Sequence, residues 1–188
     1  MDVSDIELMC RLADGNDQAL DALMGRWGER VASFLHRMTG NRETAVDLAQ
    51  ETFVKLYQAR ERYRPGGSFS TYLFAIAANL ARNHVRWKAR HPTVSLNAKA
   101  ADCDATLPEL VDTSQTPVEA ALAREKSAAI HRAILALPLD LREAFTLCIH
   151  EGLSYVEIAE LGLCSAKAVE TRIYRARQIL KEQLQDLR

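Results

Sequence analysis

The sequence predicts an all-α protein made of two small helical domains on a flexible linker. Three observations point there. Apolar residues recur at steps of three and four through most of the 188-residue chain, the spacing that gathers them on one helix face. Only eight Gly and five Pro interrupt a sequence that is 48% hydrophobic, and nothing in it resembles a strand meander. Residues 92–115 then lose the periodicity and turn to Thr, Ser, Asp, Asn and Ala with two prolines, which separates a domain at 1–91 from one at 116–188.

The elements follow in order. Ser4 and Glu7 form a capping box for a short helix carrying Ile6, Met9 and Ala13, which ends near Asp14-Gly15. A second helix starts around Asn16 or Asp17, buries Leu20, Leu23, Trp27, Val31, Phe34, Leu35 and Met38, and ends at Thr39-Gly40. Asn41 caps a third, to about Arg60, whose inner row is Ala45, Leu48, Ala49, Thr52, Phe53 and Leu56. Its outer row holds Glu43, Asp47, Gln50, Glu51, Val54 and Gln58, with Glu51 and Lys55 at the favourable i,i+4 spacing. Pro65-Gly66-Gly67-Ser68 marks a turn.

A fourth helix runs from about Ser70 to Arg90 and stops at Pro92, with Phe69, Leu73, Ile76, Ala77, Leu80 and Trp87 as its buried stripe. Asn79, Arg82, Asn83, Arg86 and Arg90 share another face. Solvated faces usually mix signs, but this one carries no acid. Arg suits phosphates and Asn suits base edges. Tyr63, Phe69, Tyr72, Phe74 and Trp87 surround it; most are core residues, and one or two are placed to stack on unpaired bases.

The linker's 24 residues reach about 80 Å when stretched and about 25–30 Å as a coil, which lets two domains occupy separate sites on DNA. Leu107, Leu110 and Val111 are apolar points that can dock locally. Thr116 as N-cap, Pro117 and Glu119 then open a fifth helix with an apolar face of Ala121, Leu122, Ala129, Ile130, Ala133, Ile134 and Leu137, stopped by Pro138. Leu141 to His150 is the sixth. Gly152 to Lys181 closes the chain as a helical pair: Tyr155, Ile158, Ala159 and Leu161 face inward on the first helix. After a break at Gly162-Leu163-Cys164, Ser165 caps the second, whose inner side is Ala166, Val169, Ile173, Ala176 and Leu180. Its outer side, Lys167, Glu170, Thr171, Tyr174, Arg175 and Gln178, fits a helix-turn-helix reader of the major groove better than an ordinary hairpin.

Charge placement supports this. The net charge is only −1, yet residues 1–29 hold seven acids against two arginines, while Arg62 to Ala101 holds seven Lys or Arg and no acid. Such segregation predicts a local anion-binding surface. The four cysteines are scattered, which argues against a disulfide framework or structural zinc and fits a reducing compartment. The acidic N-terminus lacks signal-peptide features and no window is apolar enough to span a bilayer, so a cytoplasmic protein without membrane insertion is expected.

At this point a resemblance enters. DLAQETFVKLY (Asp47–Tyr57) and RYRPGGSFSTYLFAIAANLARNHVR (Arg62–Arg86) resemble region 2 of sigma-70-type factors of the extracytoplasmic-function (ECF) group; LPLDLREAF (Leu137–Phe145), EGLSYVEIAE and TRIYRAR (Thr171–Arg177) resemble region 4. The resemblance implies a promoter-specificity subunit of bacterial RNA polymerase that recognises −10 and −35 elements. It implies polymerase contacts at Asp47, Gln50, Glu51 and Phe53, beside which the outward Val54 fits a protein partner. It implies −10 contacts at Asn79, Arg82, Asn83 and Arg86, and −35 contacts at Ser165, Lys167, Thr171, Arg172 and Arg175. Core polymerase, promoter DNA and an anti-sigma protein are the implied partners, with a monomer outside those complexes. Two positions depart from the family pattern. Leu163 stands where a turn glycine is usual, with Gly162 one place early, which implies a shifted turn. Glu170 stands where a basic residue is common, either reading a cytosine amino group or repelling phosphate.

The alternative is a stand-alone helix-turn-helix regulator, which needs a ligand or receiver module that the N-terminal half does not signal. An enzyme is not expected: His36, His84, His91, His131 and His150 make no metal spacing with acids or cysteines, and phosphate-loop, dinucleotide and nucleophile-elbow motifs are lacking. No cofactor, metal or catalytic residue is expected.

Overall fold

The structure, a computed structural model, describes residues 4–64, 66–91 and 117–185. The linker reading at 92–115, the Thr116 cap and Pro65 of the turn lie outside the described residues, as does the side chain of Glu119. Among the described residues the chain forms eight α-helices and one short 3-10 turn, with no strand.

Helix α1 (Asp5–Ala13) starts at Ser4, whose Oγ accepts from the Glu7 N–H at 3.2 Å. Its buried face is Leu8, Met9 and Leu12. Ile6 is 40% exposed, off the face formed by Leu8, Met9 and Leu12. Helix α2 (Gln18–Thr39) buries Leu23, Val31, Phe34, Leu35 and Met38 as the periodicity predicts. It ends at Gly40, which turns left-handed at φ 71. The left-handed turn favours glycine, and a Cβ there would also stand 2.8 Å from Leu135 Cδ1, so that methyl end would have to shift.

Helix α3 (Arg42–Gln58) is capped by Asn41 Oδ1, which accepts from the Thr44 N–H at 2.8 Å. Thr52 is fully buried and donates to the Leu48 carbonyl at 2.7 Å, so a hydroxyl costs the core nothing in unmet hydrogen bonds. Helix α4 (Phe69–Arg90) packs Phe69, Leu73, Phe74, Ala77, Ala78, Leu80 and Ala81 into this bundle. Trp27 and Phe34 of α2 meet Phe74 edge-on, at centroid distances of 6.2 and 5.3 Å. Trp87 corrects the expected stripe. It is 55% exposed because the last turn of α4 runs past the bundle, and it stacks on His91 at 4.9 Å.

The second domain holds α5 (Pro117–Ala136), α6 (Leu139–Ile149), α7 (Tyr155–Gly162) and α8 (Ala166–Gln183). Among the side chains described on α5, from Ala121 on, the buried ones lie at its C-terminal end, Ala133 and Ile134, followed by Leu137 after the helix end. Leu122 and Ile130, expected on the apolar face, are about half exposed. Helix α6 begins two residues earlier than Leu141, because Pro138 occupies its N-cap. Ser154 and Glu157 make a full capping box for α7.

The two domains pack directly on each other. Ala144, Leu147, Leu153, Ile158, Ala159, Val169 and Ile173 belong to the same apolar core as α1 to α4, while Ala133, Ile134, Leu137, Leu141, Ala176 and Leu180 form a smaller one. The linker length allowed the domains to occupy separate sites, and nothing in the sequence indicated that they would share a core. Burial of this shared apolar surface favours the closed arrangement.

Candidate nucleic-acid and polymerase interfaces

Three helix faces carry the residues singled out from the sequence. On α3, Asp47, Gln50, Glu51 and Val54 are exposed, with Val54 at 53%. Glu51 and Lys55 pair at 3.4 Å, as their spacing predicts. Phe53 is buried at 4%, so it holds α3 onto the bundle from within. The exposed row mixes acid, amide and an apolar side chain, a chemistry suited to a protein surface. Val46, 43% exposed, extends that row and was missed because it sits among residues of the inner face.

On α4, Asn79, Asn83, Arg86 and Arg90 are exposed. Arg82 is not free. Its guanidinium donates to Glu143 Oε1 of α6 at 2.6 Å, and the two side chains are 21% and 11% exposed. Burial pushes the Glu143 carboxyl above its usual range; Arg82, and then Arg172 and Arg86, pull against that rise. Of the expected stacking aromatics, Tyr63, Phe69 and Phe74 are core and Tyr72 is half buried, which leaves Trp87 as the exposed ring.

On α8, Ser165 caps the helix by accepting from the Ala168 N–H at 3.2 Å. Lys167 pairs with Glu170 at 2.7 Å, so the acid on this face has a neutralising neighbour. Thr171 donates to the Lys167 carbonyl at 2.9 Å. Arg175 is exposed, and Tyr174 beside it is 64% exposed. Arg172 lies on the other side of the helix, with Nε 3.7 Å from Asp140 Oδ2 and a terminal nitrogen 3.6 Å from Cys164 Sγ. The turn before α8 is not shifted. Leu163 itself adopts the left-handed conformation, at φ 48, and is 97% exposed. Its Cβ costs strain there, but the surrounding space is open and Ser165 fixes the helix start. Half-buried Cys148 has its thiol pushed up by burial, which makes it a poor nucleophile.

Residues 23–91 match the family model for Sigma-70 region 2, and residues 127–180 the model for Sigma-70, region 4. The chain is 34% identical over 187 residues to the RNA polymerase sigma-H factor of Pseudomonas aeruginosa, covering 97% of this chain and 95% of that relative. It is 33% identical over 189 residues to the ECF RNA polymerase sigma-E factor of Haemophilus influenzae, covering 98% and 97%.

The chain belongs to the sigma-70 family, in its extracytoplasmic-function group.

Helices α2 to α4 thus lie in region 2 and α6 to α8 in region 4. Among solved structures, CnrH in complex with the cytosolic domain of CnrY is similar over 98% of this chain and 99% of that one, with a TM-score of 0.70 at 26% identity. The sigma factor family is non-enzymatic in general, and among the described residues no helix is long and apolar enough to cross a membrane.

Region 2 and region 4 also meet through polar residues that the sequence reading missed. Thr71 donates to Glu157 Oε1 at 2.8 Å. Arg30 pairs with buried Glu151 at 3.4 Å and stacks on Trp27 at 4.6 Å. His36 stacks on His131 at 4.5 Å. A signal existed for the Arg82 partner described above: Glu143 falls midway between Leu139 and Leu147 at steps of four, which places a carboxylate on the buried stripe of α6.

Proposed function

We propose that this chain is a dissociable specificity subunit of RNA polymerase. Region 2 docks on the core enzyme through Asp47, Gln50, Glu51 and Val54 of α3, and Phe53 holds that helix in place. The acid-free face of α4, with Asn79, Arg82, Asn83 and Arg86, receives the −10 strand. Exposed Trp87 supplies a stacking surface for an unpaired base, which contributes about 1–3 kcal/mol. Region 4 reads the −35 element in the major groove through α8. Ser165, Lys167 and Thr171 hold phosphates, and Arg175 reaches base edges. Arg172 serves from its pairing with Asp140, orienting the helix.

The observation that carries this reading is the succession of regions 2 and 4 in one chain, with an arginine and asparagine face on α4 and a capped, basic recognition helix at α8. A stand-alone regulator does not need the region 2 helices or the mixed exposed row of α3. An anti-sigma partner is part of the proposal, because the similar CnrH was solved with a second protein, the cytosolic domain of CnrY. The site of action is the compartment of the core enzyme, the bacterial cytoplasm, and no catalytic step is assigned to the chain itself.

Run-off transcription on fragments of the native genome tests the proposal. Discrete transcripts that need both core polymerase and this chain are expected. Tight operator binding by the free chain, with no association with core polymerase, would favour the stand-alone regulator.

A further inference from the structure

The groove between α5, α6 and α8 is apolar and open. Leu180 lies at its floor, and Ile130, Phe145 and Ile149 wall a cavity of about 700 Å³. Ile130 of α5 and Ile149 of α6 are each 45% exposed, and an occupant would take that wetted apolar surface out of water. On the α8 side stand Arg177 and Lys181, one turn apart and both exposed. Among the described residues neither cation pairs with an acid.

The sequence between the domains holds a segment of matching chemistry. Leu107, Leu110 and Val111 keep the spacing of anchors that an amphipathic turn lays into an apolar groove. Glu109 and Asp112 among them supply two acids for the two cations. The other apolar pair of the linker, Val94 and Leu96, has no acid nearer than Asp102. The length also fits. Ile130 stands about 20 Å along α5 from its start at Pro117, and the chain from Pro117 back to Val111 spans about 20 Å when extended. About 50 Å of extended chain remains from residue 106 to His91, ample for a molecule whose radius of gyration at this length is about 16 Å.

We propose that the segment 107–112 docks in this groove of its own chain, with Leu107, Leu110 and Val111 on the apolar walls and Glu109 and Asp112 toward Arg177 and Lys181. The inference is independent of the assignment of α4 and α8 to DNA. Tethering holds the segment at a local concentration of about 1 mM, so it fills the groove against any weaker ligand from outside. Docking also shortens the free tether between the regions to residues 92–106, about 20–23 Å as a coil.

The test uses the full chain and a fluorescein-labelled peptide of residues 105–114, read by anisotropy. In the wild type the tethered copy competes, so the peptide should bind weakly. Leu107→Ser, Leu110→Ser and Val111→Ser together empty the groove. The peptide should then bind roughly tenfold tighter, as for a site that was free in about one molecule in ten before. In that serine chain Ile149→Glu sets a charge on the exposed wall and should abolish binding. Val156→Glu, at a residue of α7 that is 60% exposed, should leave it unchanged. Arg177→Glu with Lys181→Glu should weaken binding about tenfold, the scale of two exposed ion pairs, and a peptide carrying Glu109→Lys and Asp112→Lys should recover it. Circular dichroism checks that each variant is folded. Equal binding to the wild type and the serine chain would overturn the docking. So would peptide binding that survives Ile149→Glu, or a wild-type dimer that Ile149→Glu dissolves, since a second copy would then hold the groove.

Discussion

Arg142 of α6 donates to the Met38 carbonyl of α2 at 2.6 Å, bridging the two domains at the C-terminal end of α2. The same guanidinium donates to the carbonyls of Leu135 and Leu137, where α5 ends and leaves acceptors without helical partners. One side chain thus closes a helix terminus and an interface together. Arg142→Met keeps the aliphatic bulk but orphans three carbonyls. A loss of about 2–4 kcal/mol is expected, on the scale of hydrogen bonds from a charged donor plus the unmet acceptors. Urea unfolding measures it, and Arg142→Lys should restore only part.

Leu163 gives the opposite sign. The residue is left-handed and almost fully exposed, so glycine there relieves strain and removes no packing. The strain is about 1–2 kcal/mol, and glycine's extra freedom in the unfolded chain offsets about half. Leu163→Gly should therefore stabilise the protein by about 0.5–1 kcal/mol, seen as a higher Tm. A fall in Tm would mean that Leu163 touches something in solution.

Acid should weaken the contact between the domains through His131. Burial first, then His36, Arg37 and Arg142, hold its pKa down to about 4 from an ordinary 6.5, and its Nε2 is buried with no partner to receive a charge. His36, stacked against it, is shifted the same way, mainly by burial. A lowered pKa means that the neutral ring is favoured in the fold. Its contribution is complete above pH 6.5 and lost as pH falls from 6.5 toward 4. Glu143 and Glu151, raised chiefly by burial, act in the other direction. The informative quantity is therefore the difference from His131→Phe, which keeps a ring for stacking. Between pH 6.5 and 5 the wild type should lose stability relative to this variant in parallel urea titrations.

The two arginines on α8 should separate by phenotype. Arg175→Ala removes an exposed side chain, so Tm should hold while preference for one base of the −35 element falls by about 1–3 kcal/mol, the worth of a good base contact. Arg172→Ala cuts the ties to Asp140 and Cys164, so Tm should fall and DNA affinity should weaken without a change of preferred base. Thermal melts and binding to single-base promoter variants read both quantities.

Helix positions and caps were legible because they depend on local chemistry. Ser4, Asn41 and Ser165 cap the helices as their identities require, and the stripe of α2 follows from period alone. The ends of stripes were harder. Trp87 and Ile130 keep helical spacing, but the neighbours that would cover them stop short, and spacing says nothing of where a neighbouring helix ends. Candidate contacts on α3 and α8 divided in the same way. Phe53 and Arg172 lie in the right sequence motifs, yet each is turned toward its own domain. The closure between regions 2 and 4 was the least legible feature. Its partners are 61 to 121 residues apart, and no local rule links Arg82 to Glu143 or Arg30 to Glu151.

The apolar core that the regions share has a thermal consequence. Parting the domains rewets Leu147 and Ile158, which pack with the core of α1 to α4, and exposure of apolar surface carries a positive heat capacity. Hydrophobic cohesion weakens on cooling near room temperature. The balance between closed and open chains is therefore a curved function of temperature, with cold favouring the open form and moderate warming tightening it. Held at constant pH and salt, any separation of the two regions should therefore be favoured by cooling and opposed by moderate warming.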